Sequence, residues 1–281
     1  MTCCPWIGCA STRFLATIAN KFSTAGKVLH MAKDYFSTQS AIYNTYRPRY
    51  PDQLFRYLCE DFGENLVVWD CATGNGQAAL ALKPHAASVI ATDQSAKQLR
   101  NAATLNGVHY VQAMAEDMPV AANSIDLITV AQALHWFDFD RFYAEARRVL
   151  KPGGRIAAWT YSFLSVSPQL GGTVDDVVKW FYHDVIGPYW PRERRWVDEH
   201  YLSIPFPFHP RTTPKFSIAV DWDLASVVGY MGTWSAVQQY FMANGRDPMP
   251  LLYDRINAAW GDPNTLRHLD WRLEIRVGEV A

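Results

Sequence analysis

At 281 residues the chain can bury a substantial core, and 26 basic against 27 acidic side chains leave a net charge of only −1. That balance gives no electrostatic footprint for nucleic acid or an anionic membrane and points to a small-molecule partner. No apolar run reaches the roughly 18 residues that a bilayer-spanning helix needs. The five cysteines, Cys3, Cys4, Cys9, Cys59 and Cys71, form an odd set without ligand spacing, so neither a disulfide framework nor a metal site is expected and a reducing cytoplasm is the simple compartment.

Residues 1 to 33 carry Arg13, Lys21, Lys27 and Lys33 among many Ser and Thr, with no acid before Asp34. An organellar transit peptide has that composition. Met31, however, opens "MAKDYFSTQSAIYNTYRPRYP" as a natural start would. Residues 1–30 are therefore read as a disordered leader or a mis-assigned start and 31–281 as one domain, with an organellar address only if the leader is genuine.

From residue 66 a βα alternation runs along the chain. An apolar tract at 66–71 leads through "CATGNGQAA" into a helix from about 76, and a strand at 88–93 leads into a helix from about 95. Strands follow at 108–113 and 124–132, then a helix at 138–150 and, after Pro152-Gly153-Gly154, a fifth strand at 155–161. Such alternation makes a parallel sheet with helices on its faces.

Beyond Tyr161 the sequence turns aromatic and Pro-rich, with "GPYWPRERRW" and "IPFPFHP", as a functional cap would. A strand resumes at 216–222, helices fall between 224 and 260, and "LDWRLEIRV" closes the chain at 269–277. There Trp271, Leu273, Ile275 and Val277 alternate with Arg272, Glu274 and Arg276, the period of a strand with one solvated face. The cofactor core is thus placed at about 36–161 and the cap at about 162–215 and 224–265, with the last sheet strands at 216–222 and 269–277.

The turn Gly74-Asn75-Gly76-Gln77-Ala78-Ala79 fits the glycine pattern that lets a backbone approach a nucleotide, and Asp93 lies 19 residues after Gly74, where an acid can grip ribose hydroxyls. Taken alone, Asp93 would serve equally as a helix cap. Asp70 separates the nucleoside candidates. A carboxylate there repels a pyrophosphate but favours an ammonium- and sulfonium-bearing tail.

With these residues in view, the chain resembles the class I S-adenosylmethionine-dependent methyltransferases over roughly residues 36 to 160. "VVWDCATGNGQ", "VIATDQS", "AMAEDMP" and "SIDLITVAQALHWF" stand in that family's motif order, followed by "RVLKPGG". Ala72 departs from it where many members carry glycine, and implies a slightly different turn. "YNTYRPRYP", "AQALHWF", "YWPRERRWVDEHYLSIPFPF" and "TWSAVQQY" further resemble the trans-aconitate methyltransferase-like branch. The resemblance implies an α/β Rossmann-like, seven-stranded, mostly parallel sheet with an aromatic-rich cap insertion, and S-adenosylmethionine as cofactor.

Residue by residue, it implies that Asp70, Ala72, Gly74 and Gly76 line the methionine tail and that Asp93 holds the ribose diol. Gln94, Glu116 and Asp117 would meet the adenine, Ala131 and Gln132 would lie beside the sulfonium, and Arg47 on the helix before Pro48 would take the methionine carboxylate. Glu116 and Asp117 read equally as a solvated loop pair, and Arg47 equally as a surface ion-pair partner.

His135 follows the fourth strand and is read as orienting an acceptor or acting as a base, against the plain alternative of a packed histidine. Trp136, Tyr189, Trp190, Arg192, Arg194 and Arg195 are the candidate acceptor-binding residues. The expected acceptor is a small carboxylic acid methylated on oxygen, since a carboxylate needs orientation more than a base. A nicotinamide-dependent oxidoreductase, or a methyltransferase acting on RNA or protein, are the alternatives.

Overall fold

A computed structural model describes residues 46–161, 163–166 and 173–280. The leader, Met31 and the three N-terminal cysteines lie outside the described residues. The chain divides into two compact units, one comprising Arg49–Phe163, Glu193–Ile218 and Trp271–Ala281, the other Met1–Pro48, Leu164–Arg192 and Ala219–Asp270.

The first unit holds β1 (Val67–Cys71), β2 (Ser88–Asp93), β3 (Val108–Gln112), β4 (Ile125–Ala131) and β5 (Leu150–Thr160). They pair in parallel in the order β3-β2-β1-β4-β5. In β4, Ile125, Leu127, Ile128 and Val130 are all fully buried, the near-continuous apolar run of a strand covered on both faces. The strand order reverses between β1 and β4, and ligands of such sheets bind outside the carboxyl ends of the strands at that reversal.

Helices α1 (Asp52–Cys59), α2 (Gln77–Leu82), α3 (Ala96–Arg100) and α4 (Phe139–Val149) follow or precede these strands. On α4, Phe142, Ala146 and Val149 are buried at helical spacing, and Asp138 caps its start by accepting from the Arg141 N–H at 3.2 Å.

Sequence and structure differ at four places. Nine strands pair among the described residues, not seven. The long β9 (Arg267–Glu279) runs antiparallel to β5 and also pairs with β6 (Ser165–Val166), β7 (His209–Arg211) and β8 (Phe216–Trp222). β6 and β7, two and three residues long, are too short to leave a periodic signature.

Strand β5 starts at Leu150, because Pro152-Gly153-Gly154 makes a register shift inside the strand instead of a turn before it. Gly153 takes φ +73° there, and a Cβ on Gly154 would come within 2.8 Å of the Lys151 carbonyl. Arg47 sits in a bend before Pro48, not on a helix. Finally, Arg276 is half-buried instead of facing solvent. Its Nη1 donates to the carbonyls of Tyr201 (2.8 Å) and Ile204 (2.5 Å), with the guanidinium over the Phe206 ring.

Also in the first unit is α6 (Arg194–Asp198). The second unit contains α5 (Thr173–Trp180), continued by a π-helical turn at Phe181–Val185, and α7 (Leu224–Gly232), α8 (Ser235–Asn244) and α9 (Met249–Trp260). Among the described residues no helix is long and apolar enough to cross a membrane.

Candidate active site

The loop after β1 is organised from below by Asp70. Fully buried between β2 and β4, it accepts hydrogen bonds from Thr73 Oγ1 (2.5 Å) and Thr129 Oγ1 (2.7 Å), and from the Ala79 N–H. Burial pushes its carboxyl up to about 6, against the lowering effect of those donors. Asp70 therefore ties the loop to strand and helix.

Because this carboxyl sits above its unfolded value near 3.8, the stability tied to its protonated form is complete below that value and lost as pH rises through about 6. Asp70→Asn should remove that dependence. The melting temperature of wild type relative to Asp70→Asn is expected to decline from pH 4 to pH 7. A constant difference in melting scans would contradict the assignment.

Above Asp70, three residues of the loop take left-handed backbone: Ala72 (φ +54°), Gly74 (φ +59°) and Gly76 (φ +86°). Ala72 adopts the conformation that glycine would take freely, at a strain of order 1–3 kcal/mol. A Cβ on Gly74 would meet nothing within 4 Å, so the backbone there is open to close approach. A Cβ on Gly76 would fall 2.3 Å from the Tyr110 hydroxyl.

Half-buried Asp93 at the end of β2 steadies the loop from the side. Its Oδ2 accepts from the Gly74 N–H (2.9 Å) and its Oδ1 from the Ser95 N–H (2.8 Å). Ser95, not Asp93, caps α3. Each Asp93 oxygen keeps a further lone pair for a hydroxyl ligand. Gln94 is exposed, and its carbonyl accepts from Gln112 Nε2. Past β3, half-buried Glu116 accepts from the Asp138 N–H (3.1 Å), while Asp117 is exposed.

The end of β4 leads through Ala131 into Gln132, whose φ of +57° is another left-handed backbone. Its side chain is held at both ends, with Nε2 donating to the Tyr161 carbonyl (2.9 Å) and Oε1 accepting from Thr160 Oγ1 (2.7 Å). Three residues on, buried His135 places Nδ1 2.8 Å from the hydroxyl of fully buried Tyr201 and stacks near Trp136, which is 55% exposed.

Burial, then the nearby charge of Arg194, pulls the His135 imidazole down to about 3, so it is neutral at any physiological pH and a weak base. Arg194 also pairs with Asp198 (3.4 Å), and the Arg195 guanidinium lies 4.2 Å from the Trp196 ring centre.

Arg47, Tyr189, Trp190 and Arg192 belong to the second unit. There the Arg47 guanidinium lies over the Tyr230 ring at 5.6 Å, Tyr189 packs on Tyr240 and accepts from Asn244, and the Trp190 indole donates to the Tyr182 carbonyl.

Four residues of the first-unit site were absent from the sequence reading: Thr73, Thr129, Thr160 and Tyr201. Thr129 and Thr160 stood out as hydroxyls in otherwise apolar buried strands, a sign of a polar partner. Tyr201 had no local signal, because its partner lies 66 residues away.

Residues 69–158 match the family model described as a methyltransferase domain. A protein of Dictyostelium discoideum named as a methyltransferase is 30% identical over 229 residues, covering 81% of this chain and 86% of its own length. The solved structure of a type II methyltransferase of Anaeromyxobacter dehalogenans superposes with TM-score 0.76 at 40% identity, covering 83% of this chain and 98% of that one. A protein of Saccharomyces cerevisiae named as an S-adenosylmethionine-dependent methyltransferase is 27% identical over 44% of this chain and 45% of its own.

Proposed function

The chain belongs to the class I S-adenosylmethionine-dependent methyltransferases, and from that premise we propose that it methylates an oxygen of a small carboxylic acid. Its cofactor is S-adenosylmethionine, not a nicotinamide dinucleotide. When bound, that cofactor supplies an electrophilic methyl group on a sulfonium.

The residues present fit such a group. The loop of Ala72, Gly74 and Gly76, anchored by Asp70, offers close backbone approach for the methionine tail, with Arg47 the candidate for its carboxylate. Asp93 offers acceptors for the ribose diol, and Gln94, Glu116 and Asp117 are assigned to the adenine. Ala131 and Gln132 are assigned to the reactive end, Gln132 through its backbone because its amide is engaged.

The observation that carries the acceptor class is the charge of Arg194 beside His135, just past the end of β4. A fixed guanidinium suits an anion, which it can grip at two points as lysine cannot. A carboxylate is already ionised and requires no base, matching a histidine too weakly basic to serve as one. Catalysis then rests on alignment and on exclusion of water. Trp136 is assigned to the wall of the acceptor site, and Tyr189, Trp190, Arg192 and Arg195 to its cap. The motifs shared with the trans-aconitate methyltransferase-like branch support the same class.

The test is a screen of small acids, phenols and amines with mass-spectrometric detection of the methylated product. Arg194→Lys should raise the acceptor KM by about tenfold, one charge-assisted contact, and leave S-adenosylhomocysteine binding unchanged. A phenol, a neutral amine, an RNA or a protein as the best acceptor would remove the carboxylate class and leave methyl transfer standing.

A further inference from the structure

We propose that Gln132, Thr160 and Tyr201 form a one-way hydrogen-bond relay that fixes the tautomer of His135, with the proton on Nδ1 and a lone pair on Nε2. The direction is set at the far end. The Tyr161 carbonyl can only accept, so the Gln132 amide turns its Nε2 toward it, at 2.9 Å, and its Oε1 toward Thr160. Oε1 can only accept, so the single Thr160 proton lies on that 2.7 Å contact.

Tyr201 is hydrogen-bonded to Thr160 and must supply the proton between them. Its own proton is then spent, and the 2.8 Å contact to His135 Nδ1 requires the proton to be on the nitrogen. Three contacts need three protons, one each from Thr160, Tyr201 and His135. With the His135 proton on Nε2, one contact would be two lone pairs face to face. Thr160 and Tyr201 are both fully buried, so no water relieves such a pair.

Two further features agree. The backbone N–H groups of Leu134 and His135 also point at the Tyr201 oxygen, leaving its proton for Thr160. Gln132 and Tyr201 both hold left-handed backbone, φ +57° and +60°, a conformation that persists in such residues only where the surroundings enforce it. Burial and the Arg194 charge exclude the doubly protonated ring.

Gln132, Thr160 and Tyr201 are thus positioning residues, and His135 accepts a hydrogen bond at Nε2 but cannot donate one. Resting on the carboxylate reading above, Arg194 takes the anion while His135 selects acids with a hydroxyl or N–H donor beside the carboxylate.

Long-range nitrogen-15 NMR of the full chain at pH 7 tests the relay without any acceptor, so a wrong relay and a wrong acceptor class give different results. The His135 signals are assigned by their loss in His135→Asn. Wild type should show a protonated Nδ1 and an unprotonated Nε2, and Thr160→Ser should keep that pattern.

In Thr160→Val the Tyr201 proton turns to His135, and the two ring nitrogens should exchange character. In Tyr201→Phe, which tests the same link should Thr160→Val not fold, the single tautomer should give way to a mixture. A protonated Nε2 in wild type, or a wild-type pattern in either folded variant, would overturn the proposal.

Discussion

Gly76→Ala is expected to lower kcat/KM by on the order of 100-fold, the cost of displacing a ligand-positioning loop by about 1 Å. The new Cβ would fall 2.3 Å from the Tyr110 hydroxyl, 3.0 Å from its ring carbon and 3.1 Å from the next. Tyr110 yields poorly, since it extends from β3 and its hydroxyl donates to the Ala103 carbonyl. The φ of +86° adds strain of about 1–2 kcal/mol that alanine cannot relieve.

Overpacking adds about 1–3 kcal/mol, so the melting temperature should drop by about 5–10 °C. Gly74→Ala is the internal control, with the same kind of backbone at φ +59° but open space around its Cβ. It should lower the melting temperature by only about 2–4 °C. Equal melting temperatures for the two variants would show that the Tyr110 contact is unimportant.

Asp93→Ala should weaken S-adenosylhomocysteine binding by at least tenfold and up to about 1000-fold. Charge-assisted hydrogen bonds contribute about 1.5–3 kcal/mol each, and this side chain both steadies the Gly74 and Ser95 N–H groups and is assigned to the ribose diol. Asp93→Asn retains one acceptor oxygen and should lie between. Calorimetry gives the affinities directly. A folded Asp93→Ala that binds like wild type would withdraw the ribose assignment.

The sheet was legible because its strands are local and covered on both faces. "FSIAVDW" coincides with β8, and the four motifs stand at the ends of β1, β2, β3 and β4. Less legible was whatever depends on partners far along the chain. Asp70 is read from sequence as facing a ligand, yet its hydrogen bonds to Thr129, 59 residues on, turn it into the anchor of the loop. Arg276 follows a solvated alternation, but the carbonyls it holds lie 75 and 72 residues away. Periodicity carries no record of such partners, and Tyr201 was missed for the same reason.

The antiparallel seam between β5 and β9 also governs how this molecule can be made. Thr160 pairs with Glu274 and Ala157 with Val277, so the open side of β5 leaves the ribosome more than a hundred residues before its partner exists. At about 5–20 residues per second, that edge waits roughly 6–20 s in nascent form. Ile156, Ala157, Ala158 and Trp159, all fully buried in the finished fold, are meanwhile available to other chains. Yield in a heterologous host should therefore respond more to chaperone supply and growth temperature than to the melting temperature of the finished enzyme.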